Sequence, residues 1–283
     1  MFTLNAKGRL LTIDRPLVMG IINRAPDSFY SGSRYPGDTA FLERAEQMIA
    51  QGADWLDIGG QSTRPGAELI GEEEELRRVV DGIGMLHRRW PDIPLSVDTW
   101  YARVAREAVA AGASIVNDIS GGRLDPDMLA TVGSLNVPYV CMHSRGMPAT
   151  MNREAVYEDV VREVLDFFIR RIEDCRQAGI HDVIIDPGLG FAKKHAHNWQ
   201  LLRRLDVFRI TGRPLLLGIS RKSTIYRALG TTPEEALNGT TVLNTLGLLN
   251  GASILRVHDP KEAREVVTLI RAYKAEDANP LPA

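Results

Sequence analysis

Cysteine is nearly absent from this chain of 283 residues, with only Cys141 in an apolar strand-like run and Cys175 in a helix-like run. So sparse a set leaves no disulfide framework and reads as two buried free thiols, which suits a reducing cytosol. Charge of one sign is lacking too: Lys+Arg 34 stand against Asp+Glu 36, a formal net charge of -2. A general basic field for nucleic acid or an anionic membrane is therefore excluded, and an anionic substrate needs a local cluster. No run approaches the ~18 continuous apolar residues of a membrane span, and Met1 to Asp14 has no apolar signal-peptide core. No His or Cys cluster has metal-ligand spacing, and no serine sits in a nucleophile elbow with a His partner. Covalent catalysis by the protein is not indicated.

What is present is a core-forming composition, 44% apolar and 25% charged, with no shift that would mark a linker. Residues 1–14 alternate polar and apolar around Lys7-Gly8 and predict a β-hairpin. Eight apolar runs then follow: Leu17–Ile22, Trp55–Ile58, Leu95–Val97, Ile115–Val116, Val137–Met142, Val183–Ile185, Leu215–Ile219 and Ile254–Val257. Helix-like stretches separate them, including Asp38–Gln51, Glu72–Arg89, Tyr101–Ala111, Glu154–Ala178, Pro233–Leu249 and Lys261–Tyr273. Gly52, Gly112, Gly179 and Gly251 follow helices where a left-handed cap would end them before a strand. Short strands alternating with helices pair in parallel, and over about 250 residues a (β/α)₈ barrel is favoured over an open sheet. The expectation is one α/β barrel domain over 1–283, with a disordered tail over 275–283.

A barrel of this kind carries its site at the C-terminal strand ends, so the residues after each run matter most. They are Asn23, Asp57 with the loop Gly59 to Gly66, Asp98-Thr99, Asn117-Asp118, His143, Asp186 to Phe191, Ser220 to Ser223, and Arg256-Val257-His258. Arg64, Arg221, Lys222, Arg256 and His258, with backbone NH groups of Gly-rich loops, suit a phosphate or pyrophosphate on one rim. Asp98, Asn117 and Asp186 point inward from three strands, and such a set recognises a heterocycle with several N–H donors, such as an aminopyrimidinone.

The segments Met19–Asn23, Pro26–Phe29, Asp57–Gly66, Asn117–Ile119, Met142-His143, Asp186–Phe191, Ser220–Ser223 and Arg256–His258 resemble the dihydropteroate synthase family, in family order. The resemblance implies condensation of a dihydropterin pyrophosphate with p-aminobenzoate by loss of pyrophosphate and attack of the arylamine, in a cytoplasmic homodimer. It assigns pterin to Asp98, Asn117, Met142, Asp186, Phe191, Gly218, Lys222 and Arg256. Asn23, Arg64, Arg256 and His258 would hold pyrophosphate, Asn23 also binding Mg²⁺. Phe29, Thr63, Pro65, Lys222 and Ser223 would form the p-aminobenzoate pocket, with the helix N-terminus at Ser223 facing the carboxylate. Asp98, Lys222, Arg256 and Arg64 would carry the catalysis. The alternatives are a barrel transferring methyl groups from methyltetrahydrofolate, or a pterin binder that has lost turnover.

The chain departs from the family pattern at Arg24-Ala25, at Tyr30–Ser33 and at Gln61, all in two loops expected to move in the free protein. Asp57 reads either as a direct ligand or as a buried carboxylate orienting the second loop. Arg24 reads as a solvated residue or as an added anion contact. His143 reads as a packed imidazole rather than a catalyst, and Lys193–His197 as a solvated loop. The acidic run Glu72–Glu75 suits the positive end of a helix.

Overall fold

The structure is a computed structural model that describes residues 1–24, 34–60, 70–147, 151 and 153–275. The chain opens with an antiparallel pair, β1 (Phe2–Ala6) and β2 (Arg9–Ile13), registered Ala6 to Arg9. Its two-residue turn holds Lys7 at φ 53° and Gly8 at φ 89°, the positive pair that matches the twist of the strands.

Strands and helices then alternate. β3 (Leu17–Asn23), α1 (Arg34–Ala50), β4 (Trp55–Gly59), α2 (Glu72–Arg89) and β5 (Leu95–Asp98) lead into α3 (Ala102–Ala111) and β6 (Ile115–Asp118). After them come α4 (Met128–Leu135), β7 (Tyr139–Met142), α5 (Val160–Gln177), β8 (Val183–Asp186), α6 (His195–Arg203) and a 3₁₀ segment at Leu205–Thr211. β9 (Leu216–Leu217), α7 (Ser223–Leu229), α8 (Leu237–Leu249), β10 (Ile254–Val257) and α9 (Pro260–Lys274) complete the chain. All eight strands of the second sheet pair in parallel, in the order β8-β7-β6-β5-β4-β3-β10-β9. A bridge from Ile185 to Leu215 joins the two edges and closes the expected barrel.

The eight predicted runs are the eight barrel strands: β3, β4, β5, β6 and β8 run one or two residues further, and two others are trimmed. Val137-Pro138 stays outside β7, and of Leu215–Ile219 only two residues form β9. The helix expected from Glu154 begins at Val160, where the Asp159 side chain accepts from the amides of Val161 and Arg162. The four glycines marked as caps all have positive φ, from 85° at Gly179 to 124° at Gly112. Glu72–Glu75 form the first turn of α2, and His87, Arg88 and Arg89 its last, so both ends oppose the helix dipole.

Strand alternation divides the side chains into two populations. Val18, Ile22, Leu56, Ile58, Val97, Val116, Cys141, Ile185, Leu217, Leu255 and Val257 pack outward against the helices. Met19, Trp55, Ile115, Val140, Ile184, Leu216 and Ile254 fill the lumen and meet Leu4, Ala6, Leu11 and Ile13 of the hairpin. The hairpin therefore plugs the N-terminal mouth of the barrel. Cys141 and Cys175 are both free and buried, as the sequence predicts, and burial pushes both thiols up in pKa. Among the described residues no helix is long and apolar enough to cross a membrane. Residues 276–283 of the expected tail lie outside the described residues.

Candidate active site

Moving two residues along each strand from the lumen layer reaches the next inward position. From Trp55, Ile115, Val140, Ile184, Leu216 and Ile254 that step lands on Asp57, Asn117, Met142, Asp186, Gly218 and Arg256. One further step on β4 reaches Gly59, and the same parity on β3 and β5 gives Asn23 and Asp98. The sequence-marked residues thus share the C-terminal mouth because the pleat has a period of two. Ladder pairs fix neighbours directly: Gly59 with Asp98, Asp98 with Asn117, and Met142 with Asp186.

At the centre is the Arg256 guanidinium. Its Nε donates to Asp57 Oδ2 at 2.6 Å, and a terminal nitrogen donates to Asp98 Oδ2 at 2.6 Å. Asn117 Nδ2 donates to the same Asp57 oxygen at 3.0 Å. Burial disfavours the guanidinium charge, but Asp57 and Asp98 more than reverse this and hold its pKa above the ordinary arginine value. Burial pushes Asp98 up to about 7, with Arg256 opposing and Asp57 adding repulsion.

Across the lumen lie Asp186 and Lys222. Asp186 Oδ1 accepts from the Gly188 amide at 2.8 Å, and Lys222 Nζ donates to the Leu189 carbonyl at 2.6 Å. A Cβ on Gly218 would meet both Asp186 Oδ2 and Lys222 Nζ at 3.7 Å, so glycine leaves that space to a ligand edge. The ammonium also lies 4.6 Å from the centre of the Phe191 ring. Burial lowers Lys222 to about 8, against the pull of Asp186, and burial raises Asp186. Met142, Trp100 and Ile119 form a small apolar cluster with Phe191 packed on it. The mouth thus combines carboxylates and an amide with an apolar wall and two cations, a slot for a flat polar heterocycle.

Toward the rim, His258 Nδ1 lies 3.1 Å from Ser220 Oγ, and burial beside Arg256 lowers the imidazole to about 4. It is a neutral hydrogen-bonding group at neutral pH. Arg221 differs from expectation. With φ at 53° it turns away, pairs with Asp259 through two nitrogens, and donates to the carbonyls of Pro233 and Glu234. Ser223 opens α7, and Arg64, Phe29, Thr63 and Pro65 lie outside the described residues, as do Ala25, Tyr30–Ser33 and Gln61.

The structure bears on four other readings. Asp57 has no exposure, and its Oδ2 accepts from Asn117 and Arg256; residues 61–69 of the loop it was expected to orient lie outside the described residues. Arg24 is neither solvated nor aimed at the mouth: it donates to the Arg78 carbonyl, pairs with Asp38 and lies over the Phe41 ring. His143 is packed edge-on against Phe167, 4.9 Å between ring centres, with Lys193 Nζ 3.0 Å from its Nδ1. Lys193 itself is buried and also donates to the carbonyls of His143 and Phe191, while His195 and His197 begin α6. That stretch is thus no solvated loop. The buried lysine was missed because its acceptors come from two different loops, a pattern invisible to local polarity.

The profile of pterin binding enzymes matches residues 19–258. The chain is 40% identical to Dihydropteroate synthase of Escherichia coli K12, covering 97% of both proteins. It is 42% identical to the Folic acid synthesis protein fol1 of Schizosaccharomyces pombe over 93% of this chain, which spans 37% of that protein. A Xanthomonas albilineans dihydropteroate synthase structure with 4-aminobenzoic acid superposes with TM-score 0.90 at 42% identity, covering 97% of this chain and 99% of that one. Another from the same organism, in complex with 7,8-dihydropteroate, gives 0.87 at 39% identity over 98% of this chain and 100% of that one. With the barrel, the lumen-facing polar set and these matches in place, the chain belongs to the dihydropteroate synthase family of pterin-binding enzymes.

Proposed function

We propose that the protein condenses 6-hydroxymethyl-7,8-dihydropterin pyrophosphate with p-aminobenzoate, giving 7,8-dihydropteroate and pyrophosphate. The observation that carries this reading is the convergence of Asp98, Asn117, Asp186, Lys222 and Arg256 on one lumen mouth. Asp98 and Asp186 accept from the N–H edge of the pterin, Lys222 donates to its carbonyl side, and Met142 and Phe191 line its faces. The bond from the exocyclic carbon to the pyrophosphate oxygen breaks first, and the pterin ring delocalises the positive charge left behind. Arg256, together with Arg64, meets the departing anion, and neutral His258 donates one hydrogen bond to it. The arylamine nitrogen then attacks the same carbon and its proton passes to solvent. Phe29, Thr63, Pro65, Lys222 and Ser223 are proposed to hold the p-aminobenzoate outside the pterin.

Asn23 fits a magnesium role. Its Oδ1 stands 2.8 Å from where a Gly59 Cβ would be, beside Asp98, and its amide has no hydrogen-bond partner among the described residues. One neutral oxygen donor at the mouth suits a cation that takes its other ligands from pyrophosphate and water. Mg²⁺ would there neutralise charge on the leaving anion.

A homodimer through the later barrel helices is also proposed, supported by exposed Val242, Leu246 and Leu249 on α8 with Leu269 and Tyr273 on α9. Leu246→Asp should shift the protein to monomer in sedimentation. The activity itself is tested by pyrophosphate release. Release that requires both the pterin ester and p-aminobenzoate supports the reading, and release independent of the amine overturns it.

A further inference from the structure

Among the described residues, Asp57 is the one charged residue of the lumen mouth with no exposure at all, yet two of the proposed pterin ligands bond to it. Its Oδ2 takes Asn117 Nδ2 at 3.0 Å and Arg256 Nε at 2.6 Å, so a single buried oxygen joins β4 to β6 and β10. We propose that Asp57 is a positioning residue that sets the hydrogen-bonding polarity of the pterin slot by fixing the amide of Asn117 and the plane of Arg256. The inference rests on the pterin reading above. The physical ground is the inventory of donors and acceptors. A carboxylate can only accept, so Asn117 must turn its NH₂ to Asp57 and leave its carbonyl oxygen for a ligand donor. An asparagine at 57 could accept or donate, and Asn117 would then be free to flip and present either face. Arg256 would likewise keep its Nε anchor only while the neutral amide oxygen faced it, and otherwise only its bond to Asp98. Asp57 Oδ1 has no partner among the described residues, so the residue acts through Oδ2.

The test is calorimetric titration with 6-hydroxymethylpterin into wild type, Asp57→Asn, Asn117→Ala and the double variant. Asp57→Asn should weaken the probe by about tenfold or more, the scale of losing a charge-assisted hydrogen bond. Its effect should shrink, but not vanish, once Asn117 is already alanine, because the route through Asn117 is then gone and the route through Arg256 remains. KM for p-aminobenzoate should stay within about threefold of wild type, a split that general loosening of the fold would not give. The pH at which binding fails on acidification should also move down. Asp98 faces Arg256, Asp57, Glu75, Asp118 and Lys222, and the substitution removes one of the like charges. Probe affinity within threefold of wild type, or equal losses in both backgrounds, overturns the proposal while leaving the pterin reading intact. A wild type that binds no pterin overturns both. Should Asp57→Asn not fold, ¹⁵N-arginine NMR of the wild type decides, the Arg256 Nε–H being identified by its loss in Arg256→Lys. A signal slow to exchange and retained with pterin supports the anchor, and its loss on pterin addition overturns it.

Discussion

Asp98 and Lys222 set opposite limits on the pH at which the slot is fully charged. Asp98, raised to about 7, loses its acceptor carboxylate as pH falls through that value. Lys222, lowered to about 8, loses its ammonium as pH rises through that value. Pterin affinity should therefore peak between about 7 and 8, and Asp98→Asn should shift the acid limb in a calorimetric pH series to the one set by Asp186, which burial also raises. A raised carboxyl has the opposite consequence for the empty fold, whose stability should decline as pH climbs from 3.8 toward 7. Asp98→Asn and Asp186→Asn should each cost pterin binding roughly 1.5–3 kcal/mol and leave p-aminobenzoate KM little changed. Unchanged pterin affinity in both variants would refute their assignment. At this scale the sequence was legible wherever a residue follows an apolar run at lumen parity, as Asp98, Asn117, Asp186 and Arg256 do. It misled at Arg221, whose left-handed backbone breaks the parity and turns the side chain to Asp259.

Among the elements, the strands were the most readable, because a buried parallel strand is a compact apolar run between polar loops. The helices missing from the sequence reading are α4, α6 and α7, the shortest at 8, 9 and 7 residues, too few turns for a 3.6-residue period to register. Helix α2 does more than cover the barrel. Its Arg78 carbonyl accepts from Arg24 at the exit of β3, and the Arg78 guanidinium donates to the carbonyl of Gly60 at the exit of β4. One helical residue thus ties the exits of β3 and β4, from which the loops proposed to hold p-aminobenzoate depart, and Arg24 stands at a position where the family pattern differs. Arg24→Val should raise KM for p-aminobenzoate severalfold and leave pterin affinity within about twofold. A steady-state comparison checks it, and an effect on pterin alone would show that the clamp serves the slot instead.

For the molecule as a whole, closure of the sheet and the plugged mouth separate stability from chemistry. The hairpin residues Leu4, Ala6, Leu11 and Ile13 bury themselves against the N-terminal lumen layer, while the polar mouth lies at the other end of the same strands. Leu11→Ala should cost about 2–5 kcal/mol in denaturant unfolding through the cavity it leaves. Turnover of the protein that remains folded should match wild type, and a fall in kcat would mean that the plug shapes the slot. Among the described residues, the closed sheet and the plugged end leave the C-terminal mouth as the way into the barrel. On the function proposed above, a molecule against Asp186 and Met142 would have to enter before the one over it and could leave only after it, last in and first out. Under the proposed reading, p-aminobenzoate with pyrophosphate should imprison a pterin and slow its escape in a stopped-flow chase. An escape rate indifferent to the outer occupants would reveal a back door in the barrel.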